Sequence, residues 1–234
     1  MAHIRVLVTG GSRGIGRAIA LRFAREGAHV AVAGRGSPEL DAVVAEIEAA
    51  GGKGRAQQAN VADHGSVEAA VYRAVEFLGG TMDVLVNNAG IWEVKPFEKL
   101  DLASFKRQLE VNLFGAFYVT SEALDSLMES PRAHIFNIAS VAARQPFAGN
   151  VAYCASKYGL RGFGDALRLD LAPRKIRVST VYPGQTDTTI FDKVQGNWER
   201  SKMNQPEDVA EVVWRAYQAP ATEDVSDLDV PPRA

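Results

Sequence analysis

A glycine-rich turn near the start of the chain, set between a strand pattern and a helix pattern, restricts the possible folds more than any other stretch. Residues 5–8 form a short β-branched run, residues 9–16 read TGGSRGIG, and apolar residues then recur at helical spacing from Ile19 to Ala24. Glycines let the backbone come close to a pyrophosphate, and the start of a helix offers unpaired N–H groups to phosphates. This stretch therefore predicts a nucleotide-binding site.

Strand and helix patterns alternate along the rest of the chain. Strands are expected at residues 29–33, 55–61, 84–86, 134–138, 177–182 and 224–230, and helices at residues 38–50, 63–78, 102–128, 152–172 and 206–218. This order is typical of an α/β protein with a parallel sheet, helices on both faces, and ligands at the carboxyl ends of the strands. The 234 residues contain no linker and no internal repeat beyond these units, so a single domain is expected.

Charge and cysteine content narrow the classes of partner. With 26 basic and 28 acidic residues the net charge is −2, which gives no electrostatic reason to expect nucleic acid or an anionic membrane. Cys154 is the only cysteine, so an internal disulfide is excluded, and no histidine pair suggests a metal site. No charged leader with an apolar core opens the sequence, and no apolar run is long enough to span a bilayer. A cytoplasmic location is therefore expected.

The stretch at residues 140–157 holds a hydroxyl, a phenol and an amine that could meet at one reacting carbonyl. Tyr153 and Lys157 are four residues apart, so they share one face of the helix expected there. A neighbouring ammonium favours the phenolate, so Tyr153 could exchange a proton nearer neutral pH, with Ser140 as a hydrogen-bond donor to the same oxygen. Alone, this spacing is a weak pattern that more often reflects a half-buried tyrosine beside a lysine that reaches solvent. Asn112, inside a predicted helix, would by itself be expected to face solvent.

The end of the second predicted strand suggests which nucleotide is bound. A dinucleotide fold usually places an acidic residue about 20 positions after the glycines, where it binds the ribose hydroxyls. That position holds Gly34, and Arg35 follows it. Arg35 and Arg13 could both bind a 2′-phosphate, which favours NADP over NAD. The alternative is that both arginines are ordinary solvated surface residues.

Taken together, these motifs resemble the classical short-chain dehydrogenase/reductase family over essentially the whole chain. Residues 9–16 are similar to its cofactor loop, residues 87–90 (NNAG) to its motif after the fourth strand, and Pro183 with Gly184 to its turn near the nicotinamide. Its catalytic tetrad corresponds to Asn112, Ser140, Tyr153 and Lys157, with twelve residues between Ser140 and Tyr153. The resemblance implies a Rossmann-type doubly wound domain with a seven-stranded parallel sheet.

The resemblance also implies a role for each member of the tetrad. Tyr153 would be the general acid in reduction and the general base in oxidation, and Ser140 would polarise the carbonyl. Lys157 would hold the nicotinamide ribose and lower the Tyr153 pKa, and Asn112 would bind a water of a proton relay. The implied cofactor contacts are Gly10, Ser12, Arg13, Gly14, Ile15, Gly16, Arg35, Asn60, Val61, Asn88, Ala89, Gly90, Tyr153, Lys157, Pro183, Gly184, Thr186 and Thr188.

Two departures from the family pattern bear on the cofactor and on the substrate, and one long loop bears on the substrate. Asn60 stands where the family commonly has an aspartate that accepts a hydrogen bond from adenine, although its amide oxygen can also accept. Residues 225–234 (VSDLDVPPRA) lack the Val-Asp-Gly-Gly ending usual in acyl-carrier-protein reductases. Residues 185–205 have no periodicity and are expected to form a substrate lid. By analogy, the pocket should be lined by Ile91, Trp92, Val141, Phe147, Gln185, Phe191 and Trp198.

The leading hypothesis is an NADP-dependent oxidoreductase, a carbonyl reductase or alcohol dehydrogenase acting on a small molecule. Within the enzymes, the alternatives are reduction of a 3-oxoacyl thioester and oxidation of a 3-hydroxy acid. From another class, the chain could be a regulatory protein that senses NADP. The family further implies a homo-oligomer, a tetramer or dimer, with Phe114, Phe117, Phe163 and Leu167 as candidates for an apolar surface between copies.

Overall fold

The computed structural model of the chain describes residues 3–194 and 198–231. Seven strands occur in chain order: β1 (Arg5–Thr9), β2 (His29–Gly34), β3 (Lys53–Gln58), β4 (Val84–Asn87), β5 (His134–Ile138), β6 (Arg177–Pro183) and β7 (Asp227–Val230). The α-helices are α1 (Gly14–Ala24), α2 (Ser37–Ala49), α3 (His64–Phe77), α4 (Leu102–Leu109), α5 (Gly115–Met128), α6 (Val151–Leu171) and α7 (Pro206–Gln218).

All seven strands belong to one parallel sheet with the order β3-β2-β1-β4-β5-β6-β7. The chain builds outward from β1 to β3 and then returns to continue on the other side with β4. Connections that leave β1 and β4 in opposite directions open a crevice at their carboxyl ends, where open α/β sheets bind ligands. The predicted doubly wound fold is confirmed.

Alternating side chains of the strands pack against two layers of helices. In β1, Val6 and Val8 join the core under α1, α2 and α7, while Leu7 joins the core under α3 and α5. All three are fully or almost fully buried, and burying a valine or leucine side chain contributes roughly 1.5–3 kcal/mol. The continuous apolar character of the strands therefore reflects burial on both faces.

Two predicted strands differ from the observed ones by two or more residues at an end, whereas the others agree to within one residue. The third runs from Lys53 to Gln58 and not from 55 to 61: it starts earlier because Lys53 already pairs with His29, and it ends earlier because the Asn60 side chain accepts from the Ala62 N–H at 3.3 Å in a turn toward α3. The last begins at Asp227 and not at residue 224, because Asp224 accepts from the Ser226 N–H at 2.9 Å in a local turn.

The predicted lid is mostly irregular, with single 3-10 turns at Phe191–Lys193 and Arg200–Lys202. Of the expected segment 185–205, residues 195–197 lie outside the described part of the chain. Arg200 forms ion pairs with Asp187, at 2.8 Å, and with Asp192. Within the ranges that the structure describes, no helix has the length and apolarity needed to cross a membrane.

Candidate active site

The glycine turn sits between β1 and α1 and takes a shape that requires glycine. Gly10 and Gly14 have φ angles of 62° and 54°. A Cβ on Gly16 would lie 2.4 Å from the Gly10 carbonyl oxygen, which is closer than real Cβ atoms approach. No side chain caps the start of α1, and no acidic residue occupies its first turn. The first N–H groups of α1 are thus suited to an anionic group such as the pyrophosphate of a dinucleotide.

Hydrogen bonds from β4 hold this turn in place. The Thr9 hydroxyl donates to the Val86 carbonyl at 3.2 Å and accepts from the N–H groups of Asn88 and Ala89, at 3.0 and 3.1 Å. The Asn88 amide donates to the carbonyls of Thr9 and Gly10, at 3.0 and 3.1 Å. The side chain of Asn88 is therefore engaged with the turn, and its cofactor contact stays a prediction.

Tyr153, Lys157 and Ser140 converge at the carboxyl end of β5. Tyr153 and Lys157 lie on α6, and the Lys157 Nζ is 5.8 Å from the centre of the Tyr153 ring. The hydroxyls of Ser140 and Tyr153 are hydrogen bonded to each other. Lys157 is 5% exposed and donates to the Ile138 carbonyl at 2.8 Å. The predicted meeting of hydroxyl, phenol and amine is therefore present.

The protonation of these groups differs from the sequence prediction. Burial raises the pKa of Tyr153 to about 12, although the hydrogen bond from Ser140 acts in the opposite direction. Burial lowers the pKa of Lys157 to about 8. The expectation that Lys157 lowers the Tyr153 pKa is wrong for this structure, because loss of water destabilises the phenolate and the ammonium faces the Ile138 carbonyl.

Asn112 is buried, contrary to the expectation that a helical asparagine faces solvent. It lies in a π-helical segment, Glu110–Phe114, that joins α4 to α5, and it is 1% exposed. Its Oδ1 accepts from the Ile91 N–H at 2.8 Å, and its Nδ2 donates to the Ile91 carbonyl and to the Ser156 hydroxyl, each at 2.9 Å. Ser156, which the sequence analysis missed, in turn donates to the Tyr153 carbonyl at 2.7 Å. Asn112 therefore ties the loop after β4 to the helix that carries the tyrosine.

Gly90 lies where Asn112 and Lys157 meet. A Cβ built on Gly90 would be 3.4 Å from the Asn112 Oδ1 and 3.7 Å from the Lys157 Nζ. All four predicted catalytic residues are thus grouped around the carboxyl ends of β4 and β5. The water that Asn112 was expected to bind stays a prediction.

The residues expected near the adenosine lie at the ends of β2 and β3. Arg13 and Arg35 are exposed, and neither forms an ion pair with a carboxylate among the described residues. Gly34 ends β2, and a Cβ there would meet only the Leu40 side chain, at 3.4 Å or more. The Arg35 carbonyl accepts from the Gln58 side chain at 3.2 Å. The two guanidinium groups are thus available to an anionic ligand, and surface arginines remain the alternative.

Asn60 and Val61 follow β3. Asn60 is exposed and its Oδ1 accepts one N–H, which leaves an oxygen lone pair for a second donor. Val61 is only 8% exposed and packs against Gly115, so its side chain belongs to the core. A contact of Val61 with a nucleotide would involve its backbone.

The segment after β6 crosses back toward the glycine turn. Pro183 pairs with Val230, and the Gly184 N–H donates to the Val230 carbonyl at 2.8 Å. Thr186 is buried and its hydroxyl donates to the Gly184 carbonyl at 3.0 Å. A Cβ on Gly14 would lie 3.1 Å from the Thr188 methyl group. Thr188, in the segment predicted to be a lid, therefore lies against the glycine turn.

Three of the residues expected around the pocket form an aromatic cluster, which comprises Trp92, Phe191 and Trp198. The Trp92 ring lies 5.9 Å from Tyr153, 5.2 Å from Phe191 and 5.9 Å from Trp198, measured between ring centroids. Of the other expected lining residues, Ile91 contacts Asn112 and Val141 follows Ser140, whereas Phe147 and Gln185 are exposed.

The loop that follows Ser140 is anchored to the last strand. The Arg144 guanidinium lies 3.7 Å from the centre of the Tyr182 ring and pairs with Asp229 at 2.7 Å and Asp227 at 3.3 Å. The Tyr182 hydroxyl donates to Asp227 at 2.8 Å. We call Arg144, Tyr182, Asp227 and Asp229 the Arg144 clamp. The sequence did not predict it, because its members lie far apart in the sequence.

The proposed surface between copies is only partly exposed. Phe114 and Phe117 are 45% and 51% exposed, whereas Phe163 and Leu167 pack against cores of their own chain. The oligomer stays a prediction that rests on the two exposed phenylalanines and the family.

Known proteins resemble this chain over nearly its full length. The family described as short chain dehydrogenase matches residues 5–198. A sepiapterin reductase from Chlorobaculum tepidum is 35% identical over 99% of this chain and 97% of its own. A metagenomic short-chain oxidoreductase solved with NADP has a TM-score of 0.85 at 31% identity, covering 100% and 99% of the two chains. A 3-ketoacyl-(acyl-carrier-protein) reductase from Brucella melitensis, solved with NADH, has a TM-score of 0.87 at 30% identity, covering 96% and 95%.

Proposed function

The chain belongs to the short-chain dehydrogenase family of oxidoreductases, and from that membership we propose that it interconverts a carbonyl and an alcohol with NADP(H), using Tyr153 as general acid and base. The observation that supports this most directly is the convergence of Ser140, Tyr153 and Lys157 beside the glycine turn. The uncapped start of α1 and its glycines fit a dinucleotide. When bound, the nicotinamide supplies or accepts the hydride.

In the direction of reduction, Tyr153 gives its Oη proton to the oxygen of the carbonyl. Its pKa of about 12 keeps the phenol protonated at neutral pH, as a proton donor must be. The Ser140 hydroxyl, which is hydrogen bonded to this phenol, would turn its single O–H to the same carbonyl oxygen once the substrate is bound. Lys157, with a pKa of about 8, can exchange a proton near neutral pH and would also hold the ribose hydroxyls. Oxidation uses the same groups in reverse.

The preference for NADP is proposed from Arg13, Arg35 and Gly34. Two exposed guanidinium groups that have no carboxylate partner among the described residues could each form charge-assisted bonds with a 2′-phosphate. Gly34 offers no carboxylate, either to repel that phosphate or to bind the ribose of NAD. Since similar structures hold NADP in one case and NADH in another, the specificity depends on this chain's own residues.

Tyr153→Phe tests the proposal directly. We expect turnover of a panel of ketones, followed by NADPH absorbance, to fall by roughly a hundredfold or more, because the proton donor is lost. NADPH affinity, measured by calorimetry, should change little, because the glycine turn is untouched. Tyr158→Phe is the matched control, because Tyr158 lies on the same helix and its side chain is exposed. Substantial turnover by Tyr153→Phe would contradict the tetrad, and NADPH binding by the wild type without turnover would support a regulatory sensor.

A further inference from the structure

The aromatic cluster is a corner of three mutually edge-on rings beside Tyr153. The interplanar angles are 74° between Trp92 and Phe191, 60° between Trp92 and Trp198, and 70° between Phe191 and Trp198. The last two rings are 5.1 Å apart. These are distances and angles at which aromatic rings attract one another. An added ring could therefore meet one of them face-on and another edge-on.

One residue fixes Trp92 relative to the catalytic tyrosine. The Trp92 Nε1 donates to the Asn150 Oδ1, and Asn150 is 7% exposed. Asn150 directly precedes α6, where its carbonyl accepts from the Cys154 N–H at 2.7 Å. Because Tyr153 lies in that same first turn, the indole and the phenol are held by a common anchor. Trp92 is therefore fixed in position relative to Tyr153.

The other two rings belong to the predicted lid, which has contacts of its own. The Trp198 Nε1 donates to the Val194 carbonyl at 3.0 Å. Arg200 pairs with Asp187 and Asp192, and all three side chains are 30–52% exposed. Ion pairs with this exposure add little stability. Phe191, however, is only 9% exposed, and Asn204 donates to the carbonyls of Gln185 and Val230, at 2.9 and 3.1 Å. A ligand ring would therefore pack against this cluster without separating its three rings.

We propose that the substrate carries an aromatic ring on its carbonyl carbon and that this ring packs against Trp92 and the two lid rings. This inference rests on the proposed function, because it concerns the carbonyl that meets Tyr153. None of the three cluster side chains carries a charge. A carboxylate close to the carbonyl would lose water here without gaining a partner from the cluster. The cluster thus favours aryl ketones over 3-oxo acids.

Two ketones of matched size separate an aromatic preference from a merely apolar one. Acetophenone and cyclohexyl methyl ketone have the same carbon skeleton, but only the first has a π face. In Trp198→Leu, which keeps apolar bulk and removes a ring, the ratio of kcat/KM for acetophenone to kcat/KM for cyclohexyl methyl ketone should fall about fivefold. Trp214→Leu is the control, because Trp214 packs on Phe23 in the opposite helix layer. An unchanged ratio in Trp198→Leu would overturn the inference, as would a higher kcat/KM for 3-oxobutanoate than for acetophenone in the wild type.

Binding separates this inference from the proposed function. Calorimetry with acetophenone on the NADPH complex of Tyr153→Phe should show binding that weakens about fivefold when Trp198→Leu is added. If the wild type reduces no carbonyl but this Trp198-dependent binding is found, the proposed function fails and the aromatic site stands. If acetophenone binding does not depend on Trp198, the aromatic site is refuted, whatever the turnover.

Discussion

The buried ammonium of Lys157 should make the stability of this protein depend on pH in a measurable way. The pKa of Lys157 is about 8 in the folded chain, against 10.5 for a lysine in water. Below pH 8 both states carry the charge, and the folded state bears the full cost of burying it. Between pH 8 and 10.5 the folded lysine is neutral while the unfolded one binds a proton, so the free energy of unfolding rises with pH.

The size of the effect follows from the two pKa values. Their difference corresponds to about 3 kcal/mol of destabilisation at pH 7, of which about 1 kcal/mol is relieved by pH 9. Lys157→Met removes this term and keeps the apolar stem. It also leaves the Ile138 carbonyl without its donor, which costs about 1–3 kcal/mol at any pH. The cost of the lost donor does not depend on pH, so the prediction concerns the change with pH. From pH 7 to pH 9 the free energy of unfolding of the wild type should rise by about 1 kcal/mol relative to that of the variant.

Urea denaturation at both pH values, at equal protein concentration and without added nucleotide, measures this difference. In thermal unfolding it would appear as about 3 °C in the relative Tm for a chain of this length. Other groups titrate in both proteins, so their contributions to the pH dependence of the free energy of unfolding cancel in the comparison. Lys99→Met is the control, because Lys99 is exposed and its replacement should show no such trend. A wild-type-to-variant gap that is the same at pH 7 and pH 9 would refute the argument that Lys157 is buried as a destabilised charge.

Three further predictions address the cofactor corner, the glycine turn and assembly. The wild type should prefer NADPH over NADH by at least about tenfold in kcat/KM. The double variant Gly34→Asp with Arg35→Ala should lower or invert that preference. Equal kcat/KM with both cofactors in the wild type would show that the two arginines are ordinary surface charges. Gly16→Ala should weaken NADPH binding at least about tenfold and lower the free energy of unfolding by about 2 kcal/mol, because its Cβ would lie 2.4 Å from the Gly10 oxygen. Gly65→Ala is the control, because its Cβ would approach only a side-chain oxygen, at 3.6 Å. In the same binding and melting assays it should be neutral or stabilising. Light scattering at micromolar concentration should give the mass of a dimer or tetramer, and a monomeric mass would contradict the expected assembly.

The helices and strands could be predicted because the spacing of apolar residues that identifies each of them lies within a short stretch of sequence. Each buried strand shows as a short apolar run, and the four-residue spacing of Tyr153 and Lys157 is sufficient to put both on one helical face. The glycine turn was equally readable, since its neighbours on both sides have clear strand and helix patterns. The convergence of Ser140 with this pair needed the family resemblance in addition.

Other parts of the site depend on contacts that no local pattern records. The helical period of residues 102–128 continues through the π-helical segment, so the burial of Asn112 could not be read from it. Ser156 is a small residue of ordinary helix propensity, and its partner Asn112 is 44 positions away. The anchor between Trp92 and Asn150 spans 58 positions. The protonation of Tyr153 was mispredicted because a sequence shows which charges are neighbours but not how much water they lose.

The Arg144 clamp also sets an order of events during synthesis of the chain. Arg144 lies close behind Ser140, but its partner Asp229 is 85 positions further along the sequence. At about 5–20 residues per second, a ribosome needs several seconds to add the intervening stretch. Throughout that interval the loop after Ser140 lacks its anchor, even if the first six strands have already paired. The contacts of Arg144 with Asp227 and Asp229 therefore form only after the edge strand β7 has been made and has joined the sheet, whereas the Ala139 N–H can already bond to the Val181 carbonyl of β6.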